Sequence, residues 1–162
     1  MARPRVALLS SAVATLLVLI ADQASKAWAM VSLPRGQLVT VVPGWLWFRL
    51  LSNSGASFSL LHGYNRLFAS ISVLVVLAIG VILVRGHVVD PLSVIALGAV
   101  AGGALGNLVD RVRLAAVVDF ITVRWWPADF NLADAAIRVG VILFLCGLFL
   151  EQRRRTSRRL TD

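Results

Sequence analysis

Asp119 and Asp134 stand at either end of one short loop in a chain that is otherwise apolar. Asp119 lies in LAAVVDFITV, with apolar residues on both sides and no basic residue within four positions. A carboxyl group in such surroundings is desolvated, which raises its pKa, and an unpaired buried carboxylate is a poor structural element. Asp134 precedes an apolar run, where it can cap a helix or pair with Arg138 four residues on. Both acids are expected at the same depth in a membrane. Two carboxylates brought close cannot both ionise easily, so they share a proton. One can then deprotonate a water while the other protonates or hydrogen-bonds a carbonyl oxygen. That is the chemistry of aspartyl peptide hydrolysis.

Other polar residues compete for attention. The whole chain has eight acidic residues, and four of them (Asp110, Asp119, Asp129 and Asp134) fall between Gly106 and Asp134. Asn107, Asp110 and Arg111 share one helical face at i, i+3, i+4, as a structural polar network or as a substrate-contacting surface. Asp22 and Lys26 have the spacing of an ion pair on one helix, acid before base. Asp129, in Trp-Trp-Pro-Ala-Asp, reads as solvated. Serine chemistry lacks support: there is no Gly-x-Ser-x-Gly elbow, and Lys26 already has Asp22. No glycine-rich phosphate loop is present. His62 and His87 are far apart and lack ligand-spaced partners, so no metal and no cofactor is expected. Cys146, the single cysteine, reads as a small buried hydrophobe.

The elements that must position these residues are membrane spans. Of 162 residues 59% are hydrophobic and 15% charged, and the mean hydropathy is +0.85. A soluble domain of this size could not bury so much apolar surface. The net charge of +8 would suggest nucleic acid in a soluble chain, but here the arginines gather at span ends and in the tail, where they suit anionic headgroups, so no nucleic-acid partner is expected. The fold class is therefore an all-α integral membrane protein of four transmembrane helices, about 6–28, 67–84, 91–112 and 135–150, in one domain over 1–152. Between the first two spans, residues 29–66 carry Pro34, Gly36, Pro43 and Gly44 among β-prone runs. They predict a small extracytoplasmic β-cradle, since unpaired strands are not tolerated in lipid. Gly98, Gly102 and Gly106 form a small-residue stripe for close helix approach. Residues 153–162 form a basic tail expected to be disordered. Four spans put both termini on one side, and the arginines mark that side as cytoplasmic. Five tryptophans, Trp28, Trp45, Trp47, Trp125 and Trp126, mark the opposite interface.

Four motifs, in order over nearly the whole chain, carry a resemblance: Asp22-Gln-Ala-Ser-Lys26; Asn53-Ser-Gly-Ala-Ser-Phe58; Gly102 to Arg111 followed by Val118-Asp119-Phe120; and Phe130-Asn-Leu-Ala-Asp134. In these the sequence resembles the bacterial lipoprotein signal peptidases, or signal peptidase II. The resemblance implies a membrane aspartyl endopeptidase that removes signal peptides from prolipoproteins, cutting before a cysteine that carries a diacylglyceryl group. It implies Asp119 and Asp134 as the catalytic pair, with Asn53, Gly55, Asn107, Asp110, Arg111, Asn131 and Ala133 lining and supporting the site. Asp22 and Lys26 match the family's pair at the outer end of the first helix. It further implies a monomer in the bacterial cytoplasmic membrane with its site toward the outer leaflet. Its partners would be the lipidated prolipoprotein, membrane lipid and inhibitors of the globomycin type. Two other classes remain in view: a proton-coupled carrier using paired intramembrane acids, and a scaffold assembled through the glycine stripe.

Overall fold

The computed structural model describes residues 4–54, 64–88 and 90–161. Among the described residues, four helices are long and apolar enough to cross a membrane. They are α1 (Pro4–Ser32), α2 (Asn65–Val84), α3 (Pro91–Leu114) and α4 (Leu132–Thr161). Three strands, β1 (Val39–Val42), β2 (Leu46–Asn53) and β3 (Val117–Val123), form an antiparallel sheet in the order β1-β2-β3.

Helix α3 is the axis of the bundle. In its most apolar stretch 67% of residues are buried, against 17% in each other helix, and it packs against α1, α2 and α4. Its start is built locally: Asp90 N-caps it by accepting a hydrogen bond from the Ser93 N–H at 2.8 Å, and Pro91 follows. The glycine stripe explains its central place. A Cβ on Gly102 would stand 2.6 Å from the Thr15 carbonyl oxygen of α1, and one on Gly103 would stand 2.5 Å from the Ala133 carbonyl oxygen of α4. The helix backbones touch where side chains are missing.

The sheet corrects the expected cradle in one respect. Among the described residues, 29–66 supply β1 and β2, and the third strand comes from between α3 and α4. Helix α3 stops at Ala115, which takes a left-handed conformation (φ 56°). The following VVDFITV is rich in β-branched residues and adds to the sheet edge, with Asp119 opposite Leu51 and Val117 opposite Asn53. Ala29, Leu50, Val118 and Phe120 form a buried cluster that joins the sheet to the end of α1. Trp28 meets Phe48 and Phe120 edge-on above it.

Two further expectations are corrected. The basic tail continues α4 as helix to Thr161, because Arg, Gln and Leu are good helix formers and no Gly or Pro follows Gly147. Cys146 is exposed on α4: with α3 covering only one face of that helix, the rest of its apolar surface is left for lipid.

Candidate active site

At the sheet end of the bundle a set of buried polar groups converges from five elements. Lys26, on the last turns of α1, is 1% exposed. Its ammonium reaches Asp22 Oδ2 at 2.8 Å, Asp110 Oδ2 at 2.9 Å and Asn107 Oδ1 at 3.0 Å. All three of its N–H donors are used. A buried charge with its partners complete is tolerable, whereas removing one partner leaves an uncompensated ion.

Each carboxylate held by Lys26 in turn holds backbone beside one of the two candidate acids. Asp110 Oδ2 accepts the Val118 N–H at 3.1 Å, one residue before Asp119. Asp22 Oδ1 accepts the Ala133 N–H at 2.8 Å, one residue before Asp134. Lys26 therefore ties β3 and the first turn of α4 to a single point. Asp110 thus meets Asn107 through Lys26, within the polar network its spacing suggested, and its charge also acts on Arg111. Its other oxygen accepts from Gln23 Nε2 at 3.0 Å. Gln23 also reaches Asp22 Oδ2 and the Gly106 carbonyl at 3.2 Å each. In the sequence, Gln23 carries no signal beyond its place between Asp22 and Lys26.

The two asparagines have definite orientations. Asn107 turns its oxygen to Lys26, so its amide donates to Asp134 Oδ1 at 2.8 Å. Asn131 is the N-cap of α4: its Oδ1 accepts the Asp134 N–H at 2.9 Å, which leaves its amide to donate to Asp119 Oδ1 at 2.7 Å. The same amide lies 3.3 Å from Asn107 Oδ1. Asn131 thus touches Asp119 with its side chain and Asp134 through the backbone. The N-cap role that the sequence offered to Asp134 belongs to Asn131, three residues earlier. Asn53, at the end of β2, donates to Asp119 Oδ2 at 2.9 Å.

Asp119 is 2% exposed. Burial pushes its pKa up to about 7, and the charge of nearby Asp134 pushes the same way; the Asn53 and Asn131 amides oppose them. A carboxyl group held near neutrality beside a second carboxylate is equipped to exchange a proton with water and with a carbonyl oxygen. Arg111 leans over the Phe68 ring and donates to the Asn107 carbonyl at 3.4 Å. Ala133 is buried, and its Cβ would lie 3.5 Å from one placed on Gly106. Gly55 lies outside the described residues.

Asp129 is not merely solvated. Its carboxylate accepts from Arg49 of β2 and from the Thr122 hydroxyl of β3. Ile121 and Phe130 exchange backbone hydrogen bonds of 2.8 and 3.0 Å beside it. Asn131 comes next, so this anchor fixes where the N-cap begins. Arg138 does not pair with Asp134; its guanidinium lies over the Trp126 and Phe130 rings.

A family model for signal peptidase (SPase) II matches residues 14–150. The chain belongs to the signal peptidase II family. A lipoprotein signal peptidase of Pseudomonas fluorescens is 43% identical, over 93% of this chain and 92% of that protein. One of Syntrophomonas wolfei is 41% identical, over 86% and 92%. A solved bacterial membrane enzyme shares the fold with a TM-score of 0.81 and 28% identity, covering 88% of each chain. The protein is therefore a peptidase and a multi-pass membrane protein, and membership of an enzyme family decides against the carrier and the scaffold.

Proposed function

We propose that this peptidase removes signal peptides from prolipoproteins, cutting before a cysteine that carries a diacylglyceryl group, and that Asp119 and Asp134 act together on the attacking water. The substrate class follows the printed names of the relatives. The mechanism rests on one observation above the others: the adjoining amides of Asn107 and Asn131 each donate to one of the two acids. That arrangement ties both carboxylates to one pair of adjoining amides, and in the proposed mechanism the pair shares one proton. Asn53, Asn107, Asn131, Asp110, Asp22 and Lys26 orient the acids, and Arg111 faces them. The diacylglyceryl group lies among membrane lipid between spans, and the sheet covers the scissile region. The site opens to the outer leaflet of the bacterial cytoplasmic membrane, with both termini in the cytoplasm. A monomer suffices, and a cyclic peptide of the globomycin type would compete for the same groove.

The test is cleavage of a diacylated preprolipoprotein by reconstituted protein. Asp119→Asn and Asp134→Asn each lower kcat by about 10³-fold or more. Near wild-type turnover by either variant refutes the dyad.

A further inference from the structure

Arg138 is a cation that nothing in the active site uses. It stands six residues into α4, about 9 Å along the helix from Leu132, inside the stretch Leu132–Arg153 that is apolar enough to cross a membrane. Among the described residues it enters no ion pair and no hydrogen bond. An unneutralised guanidinium at such a depth is costly. The side chain leans back toward the start of its helix, as helical side chains do. It meets Trp126 with its guanidinium carbon 4.7 Å from the ring centroid, and Phe130 at 5.4 Å.

The rings hold the cation without consuming its N–H donors, which lie in the guanidinium plane. They also set its level at the membrane interface, where tryptophan is favoured. The surroundings are open. Trp126 is 38% exposed, and Val139 and Ile142, next along α4, are 54% and 60% exposed, so this face of α4 borders lipid. The complement of such a guanidinium is an anion with two oxygens in one plane, at the headgroup level of the leaflet nearest the sheet. A phospholipid phosphate has that geometry and arrives at that depth, and the guanidinium fork matches it bidentately.

We propose that Arg138, caged by Trp126 and Phe130, is a binding site for the phosphate of one phospholipid at the sheet end of α4. The site is separate from the acid pair and stands whether or not the proposed cleavage chemistry holds, since its test reads lipid retention and not turnover.

Native mass spectrometry of the purified protein in maltoside micelles, titrated with phosphatidylglycerol, phosphatidylcholine or diacylglycerol, tests it. The wild type retains one phospholipid of either headgroup in preference to diacylglycerol, which lacks a phosphate. Arg138→Gln weakens phospholipid retention about tenfold, or about 1.4 kcal/mol. Arg138→Lys, which keeps the charge and loses the planar fork, falls between the two. Arg124→Gln, which removes a nearby exposed cation lying over Trp45, leaves retention unchanged. Equal retention of diacylglycerol by the wild type overturns the proposal even if a variant fails to fold. So does undiminished phospholipid binding by Arg138→Gln, or an equal loss in Arg124→Gln, which would mean general charge attraction.

Discussion

At the scale of the residue, the proposed chemistry turns on how the pKa of one carboxyl group is brought near neutrality. Asp119 is buried in protein at the sheet edge, and desolvation by that burial lifts its pKa from the ordinary 3.8 to about 7. The shift has two consequences of definite sign. The protonated form is favoured in the folded protein, so Asp119 contributes stability that is complete below about pH 4 and lost as pH rises toward 7. Thermal unfolding of the wild type in micelles therefore shows a midpoint that falls across that window, and Asp119→Asn flattens the fall. In the proposed mechanism the pair must retain one proton, so kcat/KM declines as pH rises through about 7. A profile that instead climbs through pH 7 would show that the ionised pair is the active form. Asp119 stood out in the sequence because no basic residue was near it. Its partners, Asn53 and Asn131, were legible only as members of motifs. Nothing local indicates that Asn107 turns its amide toward Asp134, because that orientation is set by Lys26 from another helix.

At the scale of the element, two devices hold the acids: the close packing around α3 and the strand that follows it. Gly102 lets α1 come within touching distance of α3, and a side chain there must push the Thr15 carbonyl and Val18 aside. Gly102→Leu is expected to destabilise the protein by about 1–3 kcal/mol, read as a lower denaturant midpoint in detergent. Gly80→Leu is the control. A Cβ there meets nothing within 4 Å, so the midpoint stays within error, and equal losses in both variants would dissociate the stripe from helix packing. The spans were legible because 20 or so apolar residues in a row have few other fates. Strand β3 was not. Its residues VVDFITV continue the apolar character of α3, and only the left-handed Ala115 together with the waiting edge of β2 turn them into a strand. The pairing partner lies more than 60 residues earlier in the chain, which periodicity within one segment cannot reveal.

At the scale of the whole molecule, the buried charged groups of the described residues, Asp22, Lys26, Asp110 and Asp119, are segregated to one end. The Lys26 cluster, the acid pair and the sheet share that end, while the opposite end holds an apolar cluster of Ala7, Ile79, Leu83, Val88 and Val94. In the proposed orientation the termini and the α2–α3 turn face the cytoplasm and the sheet faces outward. In a Cys146→Ala background, Arg35→Cys should react with an impermeant maleimide in intact cells, and Arg85→Cys only after the membrane is opened. The reverse pattern would invert the orientation. Arg138 belongs to this scale as well. Its level in the membrane, and not any neighbour in the chain, determines which anion can reach it.

The sequence by itself determined the membrane class, the number of spans and the family, and it singled out the two acids of the proposed mechanism, because hydropathy and motif order are properties of the chain as written. The tertiary structure decided what each polar group does. Asp22 keeps its expected pairing with Lys26, and it and Asp110 also grip the backbone before Asp134 and Asp119 respectively. Asp129 became an anchor between strands, and the cap of α4 passed to Asn131. Those roles depend on donors and acceptors brought together from distant segments. In a desolvated site each such group must find a partner, and only the packing of α1, α3, α4 and the sheet determines which partner is within reach.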